Sequence, residues 1–402
     1  MQNLSTRIAM LVIAFGFFIS CNRAYENIYS SAASQSSEEL LAEAEQRKLA
    51  NPSDPVAFHL EGIAYQRLAR EKAPDQREPD YTSMRNALNQ ALSLYRGTSN
   101  AAAERISIQS TLENSWSYEH NSAAGLVSSD QGNNHQRLSM AAAHAHNAIV
   151  VVPDSLISFE LLADIYARMG NIDQAIQVLR FADSTLTAHS PKLTESLGFL
   201  YYTKGEFEDA ISYYERTLLA KRQSGIRPNE TDLSRGSTLN TWHGLINTYI
   251  AARQTDNAIA SIDELLKIYP ANQTYKRLLA SQLIYKIASE FDSESQPDRA
   301  VIVNNLQKIK DLAGNDPEFI LSNALSITET VSGITETRFS DNESYDVTSD
   351  LDIMLLCDGA LGMYQQVLDV DPTNPSAISG IADTYLIMGN EDEAAKWYEL
   401  MD

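Results

Sequence analysis

The chain has 402 residues, of which 53 are acidic and 31 are basic, so its net charge is −22 at pH 7. A field of this sign repels phosphate backbones and anionic headgroups, which disfavours nucleic acids and bare lipid surfaces as partners. The only cysteines are Cys21 and Cys357. Composition therefore excludes a disulfide-rich domain, because at most one internal disulfide could form.

The N-terminus carries Arg7 followed by Ile8–Ile19, a run of 12 residues that are apolar or glycine. A helix of that length is too short for the ~30 Å hydrocarbon layer of a membrane, so we predict a cleaved export signal over residues 1–20. The segment Phe18–Cys21 resembles a bacterial lipobox. The resemblance implies that Cys21 becomes the lipid-modified first residue of the mature protein. An ordinary signal peptide cut nearby is the alternative.

Residues 21–36 follow the expected cleavage site and are mostly polar, with several serines. This composition predicts a flexible tether, which would follow the lipid anchor that the resemblance implies at Cys21. Asn22 stands where the best-known sorting rule for lipoproteins places the Asp that retains them at the inner membrane. The resemblance therefore implies an outer-membrane location, and the absence of an acidic export cluster favours the periplasmic side.

Beyond residue 36, one pattern recurs with a spacing of about 34 residues. Apolar, small and aromatic residues at i, i+3, i+4 and i+7 form one stripe on a first helix. Small residues on both helices of a pair predict close contact between them, and intervening glycines predict the turn. The clearest copies carry Tyr166, Tyr201, Tyr249 and Tyr385 on the first helix and Ala175, Ala210, Ala258 and Ala394 on the second.

These residues match the tetratricopeptide repeat in order and spacing, and the resemblance covers roughly residues 37–402. It implies an all-α fold, a right-handed superhelical solenoid of about eight helix-turn-helix units with loop insertions. One pair of helices cannot bury its own stripe, so neighbouring pairs must stack. Besides the four clear copies we predict helices at 37–50, 55–70, 82–95, 99–116, 136–151, 272–288, 297–313, 316–332 and 350–370, and no sheet.

Five segments exceed the length that the repeat requires. Four of them fall between the two helices of a unit, so in a stacked array they would project from the same edge. Such a concentration is often a binding feature, although loops also vary in length without a function. The four are 71–81, 117–136, 289–298 and 333–349, and the fifth, 221–238, separates two units.

The candidate binding surface is the concave face, which first-helix residues outside the apolar stripe should line. This face is mixed in charge and aromatic at its centre. It lacks the Lys, Arg and Asn arrangement with which some members of the family hold a C-terminal carboxylate. The candidates are Glu160, Asp164, Arg168, Glu195, Phe199, Tyr202, His243, Asn247, Arg277 and Tyr285.

No catalytic constellation is present, and we expect neither an enzyme nor a cofactor or metal. Cys357 lies in a predicted helix with no His near it in sequence, which favours a buried, unreactive thiol. His144 and His146 are two residues apart and point to different helix faces, so they do not form a zinc pair. The acidic stretch from Asp341 to Asp352 lacks the central Gly of an EF-hand calcium loop and is expected to be solvated.

Two functions fit these features. The first is a lipid-anchored scaffold that binds and organises other envelope proteins or peptides, and the second is a lipoprotein that captures glycans or solutes for a transporter. The last helix pair has no polar capping helix after it, so its apolar surface predicts docking on a partner or on a second copy. Alternatively, Trp397 folds back and covers that surface.

Overall fold

The computed structural model describes residues 32–96, 101–129, 134–186, 190–223, 238–292, 296–342 and 344–401. Within these ranges every regular element is helical and no strand occurs, which confirms the predicted all-α helical-repeat fold. None of the helices described is long and apolar enough to cross a membrane. The predicted signal segment and Cys21 lie outside the described residues.

The chain divides into two compact units, Met1–Leu193 and Thr194–Asp402. After one opening helix, the helices follow each other as successive pairs, as the repeat pattern predicts. In chain order they are α1 (Ser37–Ala50), α2 (Pro55–Glu71), α3 (Glu78–Tyr95), α4 (Ala102–Ser128), α5 (His135–Val151), α6 (Leu156–Arg168), α7 (Ile172–Thr185), α8 (Pro191–Lys204), α9 (Phe207–Gln223), α10 (Thr238–Ala251), α11 (Thr255–Ile268), α12 (Gln273–Glu290), α13 (Arg299–Ala313), α14 (Pro317–Asp341), α15 (Leu351–Val370), α16 (Pro375–Ile387) and α17 (Glu391–Tyr398).

Helix ends follow the expected local chemistry. Helix α1 begins with a capping box: Glu39 donates its backbone N–H to Ser36 Oγ at 3.2 Å, and Ser36 donates its own to Glu39 Oε2 at 2.7 Å. Gly170 and Gly205, in the α6–α7 and α8–α9 turns, have φ angles of 78° and 83°. A left-handed residue there ends the first helix, and glycine adopts that conformation without a steric penalty.

In two of the pairs, the first helix is much longer than predicted. Helix α4 has 27 residues and α14 has 25, so 117–128 and 333–341 are helical and the prediction of loops over these residues was wrong. The reason is a buried stripe that continues into the extra turns. It includes Glu119, Ala123 and Val127 on α4 and reaches Thr335 on α14. A helix continues as long as one face stays packed and no Pro or capping residue stops it.

The remaining insertions agree better with the prediction. Segment 71–81 contains a 3-10 turn at Pro74–Gln76, but its residues 78–81 form the first turn of α3 and not a loop as predicted. Segment 289–298 joins the end of α12 to α13, although residues 293–295 lie outside the described chain. Most of 221–238 also lies outside the described residues, since α9 ends at Gln223 and α10 starts at Thr238.

Small residues bring the helices together where the pattern predicted. The second-helix alanines Ala175, Ala210, Ala258 and Ala394 are fully buried. Tyrosines also pack against glycines: a Cβ on Gly244 would overlap the Tyr214 ring, and one on Gly380 would overlap the Tyr364 ring. The absence of a side chain at these glycines is therefore a packing requirement.

Candidate functional site

An open groove of about 590 Å³ lies in the second unit between the first helices α12 and α14. Helix α12 contributes Ser281, Ile284, Tyr285 and Ala288, and Phe291 and Asp292 follow its end. Helix α14 contributes Ser326, Glu329 and Thr330, and its extra turns add Gly333, Ile334, Thr337, Arg338 and Asp341. The elongation of α14 therefore builds much of one groove wall.

Gly333 leaves the floor of this groove open. It lies inside α14, it is exposed, and a Cβ placed on it would meet no atom within 4 Å. A glycine in a helix interior costs about 1 kcal/mol relative to Ala because it gains no side-chain packing and loses more chain entropy. The packing around Gly333 does not demand a glycine, so the space it leaves is available to a ligand side chain.

A second groove, of about 680 Å³, lies on the other side of α14, towards α16. Its lining includes Leu325, Leu386 and Ile387, and it shares Glu329 and Gly333 with the first groove. At its base, Thr328 Oγ1 lies 3.1 Å from both Tyr364 Oη and Thr384 Oγ1. Burial raises the pKa of Tyr364, so the phenol stays neutral and this base carries no charge.

Carboxylates dominate the charge of both grooves. The acidic residues that line them are Asp292, Glu329, Glu336, Asp341 and Asp383, and the one cation among the described lining residues is Arg338. In the described part of the chain, Asp383 accepts a hydrogen bond from Tyr398 and Glu336 one from Ser332. No ion pair to Asp292, Glu329 or Asp341 is found among the described residues.

Arg338, in contrast, is already compensated. Its guanidinium forms an ion pair with Asp350 and lies over the rings of Phe291 and Tyr345, at 5.2 and 5.8 Å from their centroids. Tyr345 donates to the same carboxylate, with 2.9 Å between Tyr345 Oη and Asp350 Oδ2. Burial and this bond raise the pKa of Tyr345 to about 12. These contacts hold Arg338 in the groove wall, and its charge is already paired with that of Asp350.

A second charged cluster lies in the first unit and is sealed. Glu119, on the extra turns of α4, is fully buried and accepts from Arg77 Nη1 at 2.8 Å, Tyr81 Oη at 2.7 Å and His144 Nδ1 at 2.6 Å. Burial opposes ionisation of Glu119, but the hydrogen bonds of His144, Tyr81 and Arg77 outweigh it and hold its pKa below the ordinary value. This cluster is a structural network, because all of its principal partners are internal.

The candidates of the first unit lie on α6 and form ion pairs. Glu160 is half-buried and accepts from Lys192 Nζ at 2.5 Å. Asp164 and Arg168 are exposed and pair one helical turn apart, with 2.9 Å between Asp164 Oδ2 and Arg168 Nε. Asp164 and Arg168 pair with each other, Glu160 pairs with Lys192, and none of the three candidates lines a pocket that the structure describes.

In the second unit, α8 places three candidates differently. Glu195 accepts from the buried Lys221 Nζ at 3.1 Å and from Thr241 Oγ1 at 2.5 Å, so it stabilises the packing of neighbouring helices. Phe199 is 57% exposed, and Tyr202 is also exposed, with its ring centroid 6.0 Å from that of Phe207. These two aromatics are open to solvent, but no described groove includes them.

The last candidates lie on α10 and α12. His243 Nε2 is 2.9 Å from Tyr275 Oη, and burial lowers the pKa of this histidine, while Asn247 is exposed. The Arg277 guanidinium lies 4.8 Å from the Phe319 ring centroid and pairs with Asp316 at 3.7 Å. Tyr285, 44% exposed, is the one candidate that lines the α12–α14 groove.

The predicted candidates and the two grooves coincide only at Tyr285. Glu329 and Gly333 occupy outward positions on α14, but we extended the candidate surface only as far as α12. Prolonging the first-helix register into 317–341 would have identified Glu329. The extra turns that supply Arg338 and Asp341 gave no such signal, since they were expected to form a loop.

Two features bear on reactivity and on docking. Cys357 is buried on α15 and burial raises its pKa to about 12; no group of three His, Cys, Asp or Glu residues suited to a metal occurs in the described ranges.

In the last helix pair, Ile378 and Ile381 are buried and Trp397 is half-buried. Leu400 and Met401 are exposed.

Two sequence profiles described as tetratricopeptide repeat match the chain, at residues 158–182 and 193–228. The chain thus contains tetratricopeptide repeats, which typically act as non-catalytic modules for protein–protein interaction. The chain is also 28% identical over 113 residues to the transcriptional activator NprA of Geobacillus stearothermophilus. That match spans 27% of this chain and about a quarter (26%) of the activator.

The solved structures to which the chain is similar share little sequence with it. The C-terminal part of a TPR repeat-containing protein from Cytophaga hutchinsonii is 14% identical, with 89% of this chain and 98% of that one covered and a TM-score of 0.32. A tetratricopeptide repeat protein from Parabacteroides merdae is 12% identical, with 72% and 99% covered and a TM-score of 0.36. PilF of Pseudomonas aeruginosa is 11% identical, with 66% and 96% covered and a TM-score of 0.34.

Proposed function

We propose that this protein is a non-catalytic interaction scaffold that holds a segment of a partner protein in the grooves on either side of α14. The observation that carries the proposal is the open space at Gly333, which lines both grooves. A side chain at this position would meet no neighbouring atom, so packing does not require a glycine there. Concave sites with a few polar groups and an apolar floor are typical binding sites. The tetratricopeptide repeats of the chain make a protein segment the expected occupant.

The scaffold is further proposed to act at the bacterial cell envelope, tethered through a lipid on Cys21. The support is the sequence resemblance of Phe18–Cys21 to a lipobox together with the apolar run before it. A lipid anchor would place the grooves close to the outer membrane, on its periplasmic side, and would bring them near membrane-embedded partners. The proposal includes self-association of this scaffold through the exposed Leu400 and Met401.

A site-specific photocrosslink tests the groove. Benzoylphenylalanine at Thr337, on the groove wall, should give discrete protein adducts in envelope preparations, whereas the same group at Asp358, on α15 outside both grooves, should not. The substitution Gly333→Leu fills the floor and should abolish the Thr337 adducts. Its matched control is Gly362→Leu, at another exposed helical glycine with free space around it, on α15 and lining neither groove. Equal adducts in both variants would refute the groove as the site.

The anchor has its own test. Cys21→Ala should prevent lipid attachment, so the variant should appear in the soluble fraction or retain its signal segment. If it still partitions into membranes with the cleaved N-terminus of the parent, the anchor is wrong. A glycan that binds the parent but not Gly333→Leu would instead favour the capture of glycans or solutes.

A further inference from the structure

We infer that the segment bound in these grooves is basic: it presents Lys or Arg side chains to carboxylates on both sides of α14 and an apolar side chain to the floor. This inference rests on the proposed function, because it names the chemistry of the occupant of the same site. It is supported by a difference in how the charges of the grooves are paired. Several of the carboxylates that line the grooves have no ion pair among the described residues, whereas the cation Arg338 is already paired within the protein.

The first step is the position of the unpaired carboxylates. Glu329 lines both grooves and is exposed, and Asp341 lies three turns further along the same helix, at the end of the α12–α14 groove. Asp292 faces them from the end of α12. Within the described ranges none of the three has an ion pair, so each leaves a negative charge unmatched at the groove.

The second step concerns the single cation. Among the described lining residues an acidic segment could use only Arg338, but the guanidinium of Arg338 already pairs with Asp350 and lies over two aromatic rings. An acidic occupant would have to compete with Asp350 while lying against Glu329 and Asp341. Juxtaposed like charges disfavour a partner, so this arrangement selects against acidic segments and in favour of basic ones.

The third step is the apolar component. Ile284, Ala288 and Ile334 contribute apolar surface to the α12–α14 groove, and Leu325 and Ile387 contribute to the α14–α16 groove. Lys and Arg carry long apolar stems that can lie on such surfaces while their charged ends reach a carboxylate. The grooves thus fit a segment in which basic and aliphatic residues alternate.

The test uses the full-length protein in neutral detergent and a short fluorescent peptide built from Lys, Leu and Ala, beside a twin with Glu at every Lys position. Fluorescence anisotropy should show binding of the Lys peptide and none of the Glu peptide. The variants Glu329→Gln and Asp341→Asn each remove one exposed negative charge. Each should bind the Lys peptide about threefold more weakly than the parent does. Raising the salt from about 0.05 M to about 0.5 M should weaken binding to the parent, because the screening length shortens.

The control is Asp358→Asn, which removes the same charge from an exposed position on α15 outside both grooves. It should bind the Lys peptide as the parent does. Equal weakening in Asp358→Asn would mean that the peptide responds only to the net charge of −22, which would overturn the inference. Preferential binding of the Glu peptide would overturn it as well.

Gly333→Leu separates this inference from the proposed function. If the groove-filling variant loses its Thr337 crosslinks while the two charge variants bind like the parent, the groove binds a partner but its occupant is not selected by charge. If Gly333→Leu keeps its crosslinks, the proposed function fails first. Loss of binding in Gly333→Leu, Glu329→Gln and Asp341→Asn, with Asp358→Asn unchanged, supports both.

Discussion

Helices α4 and α14 are both first helices with extra turns, yet the two units use the added length in opposite ways. In the first unit, the extra turns of α4 bury Glu119 against Arg77, Tyr81 and His144. In the second unit, the extra turns of α14 form a groove wall beside the open space at Gly333. The difference is whether a neighbouring element satisfies the polar groups that the added turns present. Where it does, the extension is structural; where it does not, a surface remains for a partner.

The largest expected effect is on the sealed cluster. Glu119→Ala leaves the charge of Arg77 buried without its carboxylate, and breaking a buried pair in this way costs about 3–5 kcal/mol. Urea unfolding followed by circular dichroism should show this loss. Glu329→Ala, on the open groove, should stay within about 0.5 kcal/mol of the parent, as exposed substitutions do. Similar values for the two variants would erase the distinction between the units. If Glu119→Ala does not fold, Glu119→Gln provides a milder version of the same comparison.

Two glycines should respond in opposite directions to the same substitution. Gly380→Ala inserts a Cβ where the Tyr364 ring lies, and overpacking of this kind costs about 1–3 kcal/mol. Gly333→Ala places a Cβ in open space within α14 and should stabilise the protein by up to about 1 kcal/mol through helix propensity. Thermal unfolding of both variants measures these signs. A destabilised Gly333→Ala would contradict the view that the groove floor is free.

Acid should weaken the sealed cluster. The pKa of Glu119 is lower in the folded protein than its ordinary value of 4.5. A group with a lowered folded pKa stabilises the protein above its unfolded pKa, and that contribution disappears as the pH falls through the folded value. The free energy of unfolding of the parent should therefore fall below about pH 4.5 more steeply than that of Glu119→Gln. Parallel curves for the two proteins would show that Glu119 ionises alike in both states.

The smallest expected effect is on the surface pair of α6. Asp164→Asn removes an exposed ion pair with Arg168 and should cost about 0.2–0.5 kcal/mol, with less at high salt. The same urea measurement at two salt concentrations detects it. A loss approaching that of Glu119→Ala would mean that exposure is a poor guide to the strength of these charge pairs.

Local signals made much of the fold predictable. Ala175 and Ala258 were expected at close helix contacts because of their repeat spacing, and the Gly170 turn and the Ser36 capping box follow from backbone chemistry alone. The extended helices were missed because their buried stripes contain polar residues. Glu119 in α4 and Thr335 in α14 look like surface positions until a partner helix is known.

The candidate site was less predictable because exposure depends on distant partners. Glu160 and Glu195 occupy outward first-helix positions much as Glu329 does, but Lys192 pairs with the former and Lys221 with the latter. Nothing in the local pattern of α6 or α8 shows that these lysines approach. The grooves became visible only when the helix pairs around α14 were placed in space.

The tyrosine rings seated on glycines have a consequence for how this sequence can change over time. Tyr364 leaves no room for even one carbon atom at position 380, and the Tyr214 ring imposes the same limit at position 244. A larger residue at either glycine becomes tolerable once the facing tyrosine is replaced by something shorter. Among diverged copies of this chain, we therefore expect positions 364 and 380 to covary, and likewise 214 and 244.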